Sequence, residues 1–318
     1  MPERIAGARV YIWLSVGAAL VTMAIKFIAY ELTGSVGLLS DAVESVVNLI
    51  AALVALWALW LASRPADDDH HYGHTKAEYF SSGVEGTMIM VAAASIAAAA
   101  WPRLLRPQPL DHIGFGLAVS AAASVINGLV ATILWRAGKA RRSITLTADA
   151  RHLLADVWTT AGVILALGLV SLTHWYILDP VIALAVAANV LWTGIRLIRE
   201  SGLGLLDTAI PAEERATIDH TLEPFRAQGI DFHALRTRSS GMRRFVSLHV
   251  LVPGAWSVQS GHDLCEDIER ALRAALPETT VFTHLEPRED PAAFADQGLD
   301  RDESVSAALA SGNGQADL

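Results

Sequence analysis

Six mostly apolar stretches, near 9–31, 36–62, 79–100, 113–136, 144–172 and 176–198, fill the first two thirds of the chain. Each is long enough to cross a hydrocarbon core of about 30 Å as a helix rising about 1.5 Å per residue. The last third follows another pattern. Pro211-Ala212-Glu213-Glu214 opens a helix, with proline suited to the first turn and the acids favoured by the helix dipole. β-like runs follow at 233–238 and 244–252, split by the turn Ser239-Ser240-Gly241. A helix over 257–275 ends before Pro277, and a strand over 279–285 closes the unit, giving the order αββαβ. The pattern predicts an α-helical membrane protein with six transmembrane helices and a C-terminal cytoplasmic α/β domain. The membrane part covers 1–206 and the soluble domain 207–290. Residues 291–318 are short of core formers and read as a disordered acidic tail.

Composition agrees with a membrane protein, since 53% hydrophobic and only 18% charged residues is too apolar for an ordinary soluble chain. The first span is too long, and too polar at its start, for a cleaved signal peptide. Arg4 and Arg9, Arg64 and Lys76, the run Arg136, Lys139, Arg141 and Arg142, and Arg196 with Arg199 gather on one side; Arg103 and Arg106 alone mark the other. By the positive-inside rule both termini are cytoplasmic. A net charge of −9 argues against nucleic acid as a partner. The single cysteine, Cys265, excludes a disulfide framework and a cysteine zinc site within one chain.

Two apolar spans carry one polar signature. Asp41-Ala42-Val43-Glu44 with Asn48, and Asp149-Ala150-Arg151-His152 with Asp156, share the form Asp-Ala-x-(Glu/His)-x-x-x-(Asn/Asp). Positions i and i+4 lie on one helix face, so each span offers a two-ligand claw. An ionisable residue at mid-membrane costs roughly 2.5–3.5 kcal/mol on insertion scales and should not sit there idle. Glu44, Asn48, His152 and Asp156 set around one point would suit a divalent metal, which implies metal transport. Asp41 and Asp149, one turn earlier, read as packing or cation-entry residues. Lys26 either snorkels or pairs with an acid such as Asp41; Glu85 and Asn127 face the bundle interior. The alanine runs 92–94, 97–100 and 121–123 suit close helix packing. Trp60, Trp101 and Trp175 suit interfacial anchoring.

The loop Asp67-Asp68-Asp69-His70-His71-Tyr72-Gly73-His74 offers a second metal site, with Asp67, His70 and His74 the best-spaced trio. The competing reading is a solvated acidic loop that caps the next helix. His233, His249, His262 and His284, the last followed by Glu286, stand at element edges of the soluble domain. They read either as ligands or as ordinary surface histidines. His112, His174 and His220 lack partners at ligand spacing.

The chain resembles the cation diffusion facilitator family, most closely its bacterial iron/zinc efflux members. The resemblance rests on Gly37-Leu38-Leu39-Ser40-Asp41-Ala42, on His70-His71-Tyr72-Gly73-His74-Thr75-Lys76-Ala77-Glu78, and on Ala148-Asp149-Ala150 with His152 and Asp156. Asp179-Pro180, Leu205-Leu206-Asp207 and Leu235-Arg236-Thr237-Arg238 complete it, so that it runs from the first span to about Pro287. It implies a homodimer in a bacterial plasma (inner) membrane that exchanges a divalent cation, Zn2+ or Fe2+ above all, for protons as counter-ion. It implies a transport site of Glu44, Asn48, His152 and Asp156, and a loop site of Asp67, His70 and His74. It further implies a regulatory cytoplasmic site of His233, His249, His262, His284 and Glu286, and a charge pair, Lys76 with Asp207, linking the two parts. The family usually has Asp or His followed by Asp where this chain has Glu44 and Asn48. The loss of one negative charge should weaken divalent binding and relax a preference for zinc over iron, cobalt or manganese.

Two other classes compete. A membrane metalloprotease needs a His-Glu-x-x-His helix or an equivalent nucleophile and base, which the sequence lacks. A metal-sensing receptor, whose soluble domain reports cytoplasmic metal, leaves His152 and Asp156 without a role.

Overall fold

The computed structural model describes residues 2–33, 36–106, 114–173, 175, 177–295 and 297–299. The chain divides into two compact units, Met1–Leu206 and Asp207–Leu318.

The first unit is six helices: α1 (Pro2–Thr33), α2 (Val36–Ala62), α3 (Ala77–Leu105), α4 (Gly114–Arg141), α5 (Ile144–Thr173) and α6 (Leu178–Leu205). The neighbours are α1 with α2, α4 with α5, and α3 with α6, while α5 also touches α3 and α6. Among the described residues, Gly7–Ala29, Ala77–Leu105, Ala118–Arg141 and Pro180–Leu205 are long and apolar enough to cross a membrane. The described apolar part of α2, Asn48–Ala62, is shorter. In α5 the residues Asp149, Arg151, His152 and Asp156 interrupt the apolar run. The unit is therefore an α-helical, multi-span membrane domain.

Close backbone approach sets the α3–α6 contact. A Cβ on Gly86 would lie 3.2 Å from the Gly194 carbonyl oxygen, and one on Gly194 would lie 3.0 Å from that of Gly86. Small residues at such crossings let helices pack without a hydrophobic driving force between them. Of the expected alanine faces, Ala93, Ala100 and Ala123 are buried. Lys26 is buried rather than reaching outward; the side chain of its suggested partner Asp41 lies outside the described residues.

The second unit runs α7 (Ala212–Arg226), β1 (Asp231–Ser240), β2 (Arg243–Val252), α8 (Val258–Ala275), β3 (Thr279–Pro287) and a short 3-10 turn at Pro291–Phe294. The sheet order is β1-β2-β3, with β1–β2 antiparallel and β2–β3 parallel. Because side chains alternate along a strand, Val246, Leu248, Val250 and Val252 share one face of β2. They are buried with Ile218 and Leu222 of α7 and Ile268 and Leu272 of α8. Each such Leu or Ile stabilises the fold by roughly 1.5–3 kcal/mol. That core leaves the odd-numbered face of β2, His249 included, turned away from the helices.

Regular structure continues past the expected boundary at 290. Asp290 accepts from the Ala292 amide at 2.9 Å, Ala293 and Ala295 are buried, and the Phe294 ring meets that of His233 edge-on. A capped turn with an aromatic anchor holds this segment where composition alone suggested none. Residues 300–318 lie outside the described set.

Candidate metal centres

In the membrane unit, α2 and α5 bring Asn48, His152 and Asp156 together. The Asn48 amide Nδ2 donates to Asp156 Oδ2, and its Oδ1 lies 2.9 Å from His152 Nε2. Asn48 and His152 are buried and Asp156 is half-buried. Helical spacing puts His152 and Asp156 on one face of α5, as the sequence implied. Thr159 and Thr160 donate their hydroxyls to the Asp156 carbonyl at 2.8 and 3.0 Å. Glu44 is one turn before Asn48 on α2, and its side chain lies outside the described residues. The three described side chains offer an amide oxygen, an imidazole nitrogen and a carboxylate, a mixed set that suits divalent transition metals.

The loop before α3 folds back on itself. Asp67 Oδ1 accepts from the His70 amide at 2.8 Å and meets His70 Nδ1 at 3.1 Å; Asp67 Oδ2 lies 3.4 Å from His74 Nε2. Gly73, at φ +81, provides the left-handed turn that brings His74 round. Ligand atoms of the trio all lie within 4.8 Å of one another. Bonds of about 2.1 Å in a tetrahedral zinc site put neighbouring donors roughly 3.4 Å apart, so small side-chain shifts would close this one. Partial burial raises the Asp67 carboxyl, but hydrogen bonds from His70 and the proximity of His74 and His70 outweigh it, holding the group below its usual range. His74 is buried, and its Nδ1 meets no partner among the described residues.

In the second unit the sheet register makes the site. His233 pairs with His249 across β1–β2, and His249 with His284 across β2–β3, so three imidazoles stand in a row. Their ring centroids are 5.0 and 4.9 Å apart, close to the interstrand spacing. His233 Nε2 lies 3.1 Å from His249 Nδ1 and 2.8 Å from Glu286 Oε2, and His249 Nδ1 lies 3.2 Å from the same oxygen. His284, largely exposed, stands 3.4 Å from Glu286 Oε1. Register slips between His233 and Arg236, where Ala234 takes φ 50, a bulge that re-aims the strand beside His233. His262 does not join this cluster. It is exposed on α8, which packs on the opposite, core-forming face of the sheet.

The proposed linking residues are each engaged in their own unit. Lys76 Nζ donates to the Leu205 carbonyl at 3.2 Å, and Asp207 accepts from Arg238 at 3.0 Å. Sequence reasoning quoted Glu78 only within a motif and missed its place. Glu78 is fully buried and accepts from Ser143 Oγ, the same hydroxyl that caps α5 by accepting from the Leu146 amide at 3.3 Å. An acid in a first helical turn is ordinarily solvated, so nothing in its local context announced burial. Glu85 and Asp149 are also fully buried, and Ser81 donates to Glu85 at 3.3 Å.

Two family models cover nearly all of this geometry. Residues 12–206 match the cation efflux transmembrane domain, and residues 210–288 match the cytoplasmic domain of cation efflux proteins, a domain type associated with dimerisation. The chain is 55% identical over 284 residues to the uncharacterized transporter sll1263 of Synechocystis sp., covering 89% of this chain and 92% of that one. It is 32% identical over 273 residues to the cation-efflux pump FieF of Serratia proteamaculans, covering 85% and 89% respectively. Against FieF of Salmonella arizonae the identity is 30% over 270 residues, again covering 85% and 89%. The fold and the matched domains define a cation-efflux membrane transporter, a secondary transporter and not an enzyme. The chain belongs to the cation diffusion facilitator family.

Proposed function

We propose that this protein exports a divalent transition-metal cation from the cytoplasm in exchange for protons, with Zn2+ the first substrate and Fe2+, Co2+, Mn2+ or Cd2+ alternatives. The observation that carries the reading is the convergence of Asn48, His152 and Asp156 from two helices of the membrane unit. Three polar side chains gathered inside an apolar bundle need a purpose that offsets their insertion cost. In this reading Glu44 completes the transport site, and six spans place both termini in the cytoplasm of a bacterium with the bilayer its inner membrane. The loop trio and the histidine row bind the same metal class, the latter in a homodimer and in a regulatory role. Lys76 and Asp207 link the two units. The receptor alternative leaves the α2–α5 convergence without work to do.

The test is a metal panel in reconstituted vesicles holding a metal-sensitive dye, run at two proton gradients. Zinc entry that rises with an opposing proton gradient supports the proposal. Metal that binds but never crosses would replace it with the receptor reading.

A further inference from the structure

A cavity of about 410 Å³ opens between α4, α5 and α6, on the flank where the basic ends of α4 and α6 gather. Its chemistry is unlike that of the metal centres. Lys139, Arg151 and Arg196 line it together with Trp135, Trp158 and Trp192. A cavity ringed by cations repels a divalent metal, so it is no part of the ion's route.

The cations are incompletely compensated. Glu200 receives Arg151 at 2.5 Å and Arg196 at 3.0 Å, so one carboxylate serves two guanidinium groups. Lys139 meets no carboxylate among the described residues; its ammonium lies 5.1 Å from the centroid of the Trp135 ring, and Arg151 lies 5.5 Å from the same ring. Positive charge therefore exceeds negative at the cavity wall. Trp158 and Trp192, near the middles of α5 and α6, are 57% and 68% exposed in a helical unit that lives in lipid, which sets their indole rings against acyl chains. The cavity thus offers an anion-binding end and an aromatic, apolar flank.

We propose that this cavity binds the headgroup of an anionic phospholipid, with its phosphate on Lys139 and Arg196 and its chains along Trp158 and Trp192. Basic pockets between transmembrane helices, on the side where Lys and Arg collect, recognise such headgroups. Arg151 directly precedes His152 on α5, so the lipid would load the helix that carries half of the polar convergence. The inference needs only the membrane unit and stands whichever ion is carried.

Native mass spectrometry of the full-length protein in detergent, titrated with phosphatidylglycerol and phosphatidylcholine of matched chains, tests it. Phosphatidylglycerol should be retained in preference. Each cation near a lipid phosphate is worth about fivefold, so the Lys139→Gln/Arg196→Gln pair should weaken retention about twenty-five-fold. Equal retention of the two lipids, or unchanged retention by the double variant, would overturn the site. Thermal protection by millimolar inorganic phosphate equal to that by the lipid would assign the cavity to a free anion and remove the lipid. Loss of the dimer with lipid retention unchanged would make this flank a protein interface instead. Should the double variant not fold, Lys139→Gln alone changes an exposed side chain and carries the same comparison at about fivefold.

Discussion

His152 and Asn48 meet across the α2–α5 contact, imidazole Nε2 to amide Oδ1, at 2.9 Å. The same amide donates through Nδ2 to Asp156, so its oxygen is the atom left for the histidine. The hydrogen in the His152 contact then belongs to Nε2, an assignment that follows from the network. A cation bound through Nε2 must displace that hydrogen, and one bound through Asp156 must take the place of the amide. Metal binding at the proposed site is therefore competition with an existing hydrogen-bonded arrangement. A neutral imidazole keeps its hydrogen by moving it to Nδ1 when a cation takes Nε2, whereas an imidazolium must release a proton, so cation and proton exclude one another only when the ring is doubly protonated.

Removing a ligand should be far worse than disturbing its support. Partners that merely orient a metal ligand cost about 10–100-fold when mutated, so His152→Ala or Asp156→Ala should lower vesicle zinc uptake by at least about a hundredfold. Both variants should elute from size exclusion like the parent, since neither side chain contributes to the apolar contacts of Ile89, Ala148 and Leu197. Uptake at the parental rate in either variant would remove these residues from the transport site.

Much of this site was legible because helix geometry is periodic. The spacing of His152 and Asp156 put them on one face without knowledge of any neighbour, and the repeated signature suggested that α2 would face α5. The amide bridge was not legible, because whether Asn48 reaches its partners depends on helix-to-helix distance. Likewise the middle strand of the soluble domain announced itself as the β-like run 244–252, but the histidine row required the register that pairs His233, His249 and His284. Sequence also pointed to alanines as the packing surface, whereas a close backbone approach runs through Gly86 and Gly194 on helices far apart in the chain. His262 is the position that residue type and a single chain together leave open. Residue type suggested a ligand, and the layer it occupies separates it from the others within one chain.

Asn48→Asp separates binding from stability. The new carboxylate cannot donate to Asp156 and places two acids side by side, so without metal the variant should melt at a lower temperature. With zinc it supplies an anionic ligand in place of a neutral one, and calorimetry should show about tenfold tighter binding. Faster transport is not expected, because the ion must also leave. Unchanged zinc affinity would mean that residue 48 is not a ligand.

Asp67 gives the loop a defined acid limit. Desolvation, the largest single influence, raises its carboxyl, but hydrogen bonds from His70 and the nearby imidazoles together hold it below the usual range. A group whose folded pKa is depressed contributes stability above its unfolded value, and that contribution is lost as pH falls through the folded value. The His70 amide, which donates to Asp67 at 2.8 Å, should therefore keep its exchange protection from pH 8 to pH 5 after correction for intrinsic rates. Protection should fail only below the ordinary carboxylate value of about 3.9. Asp67→Asn, which keeps an acceptor oxygen, should show no acid step. Loss of protection near pH 6 in the parent would show that Asp67 does not hold the loop.

The soluble unit should stand alone and report its ligands separately. Residues 207–290 carry a closed core of Ile218, Leu222, Leu248, Ile268 and Leu272, enough for a domain of this length to fold without the membrane part. In calorimetry the isolated domain should bind zinc through His233, His249 and Glu286, whose donor atoms already lie 2.8–3.2 Å apart. His233→Ala with Glu286→Ala should lower affinity at least about a hundredfold, since two of three direct ligands are gone. His249→Ala with His284→Ala should weaken any metal-driven compaction seen by small-angle scattering, and in full-length protein should slow transport without stopping it. His262 provides the discriminating case. If each copy binds metal by itself, His262→Ala should change zinc affinity by less than twofold or so, because its side chain lies on the helix layer and outside the row. A fall as large as that of the His233/Glu286 pair would mean that a second copy brings His262 to the metal, and the single-chain site would have to give way to one shared across the dimer.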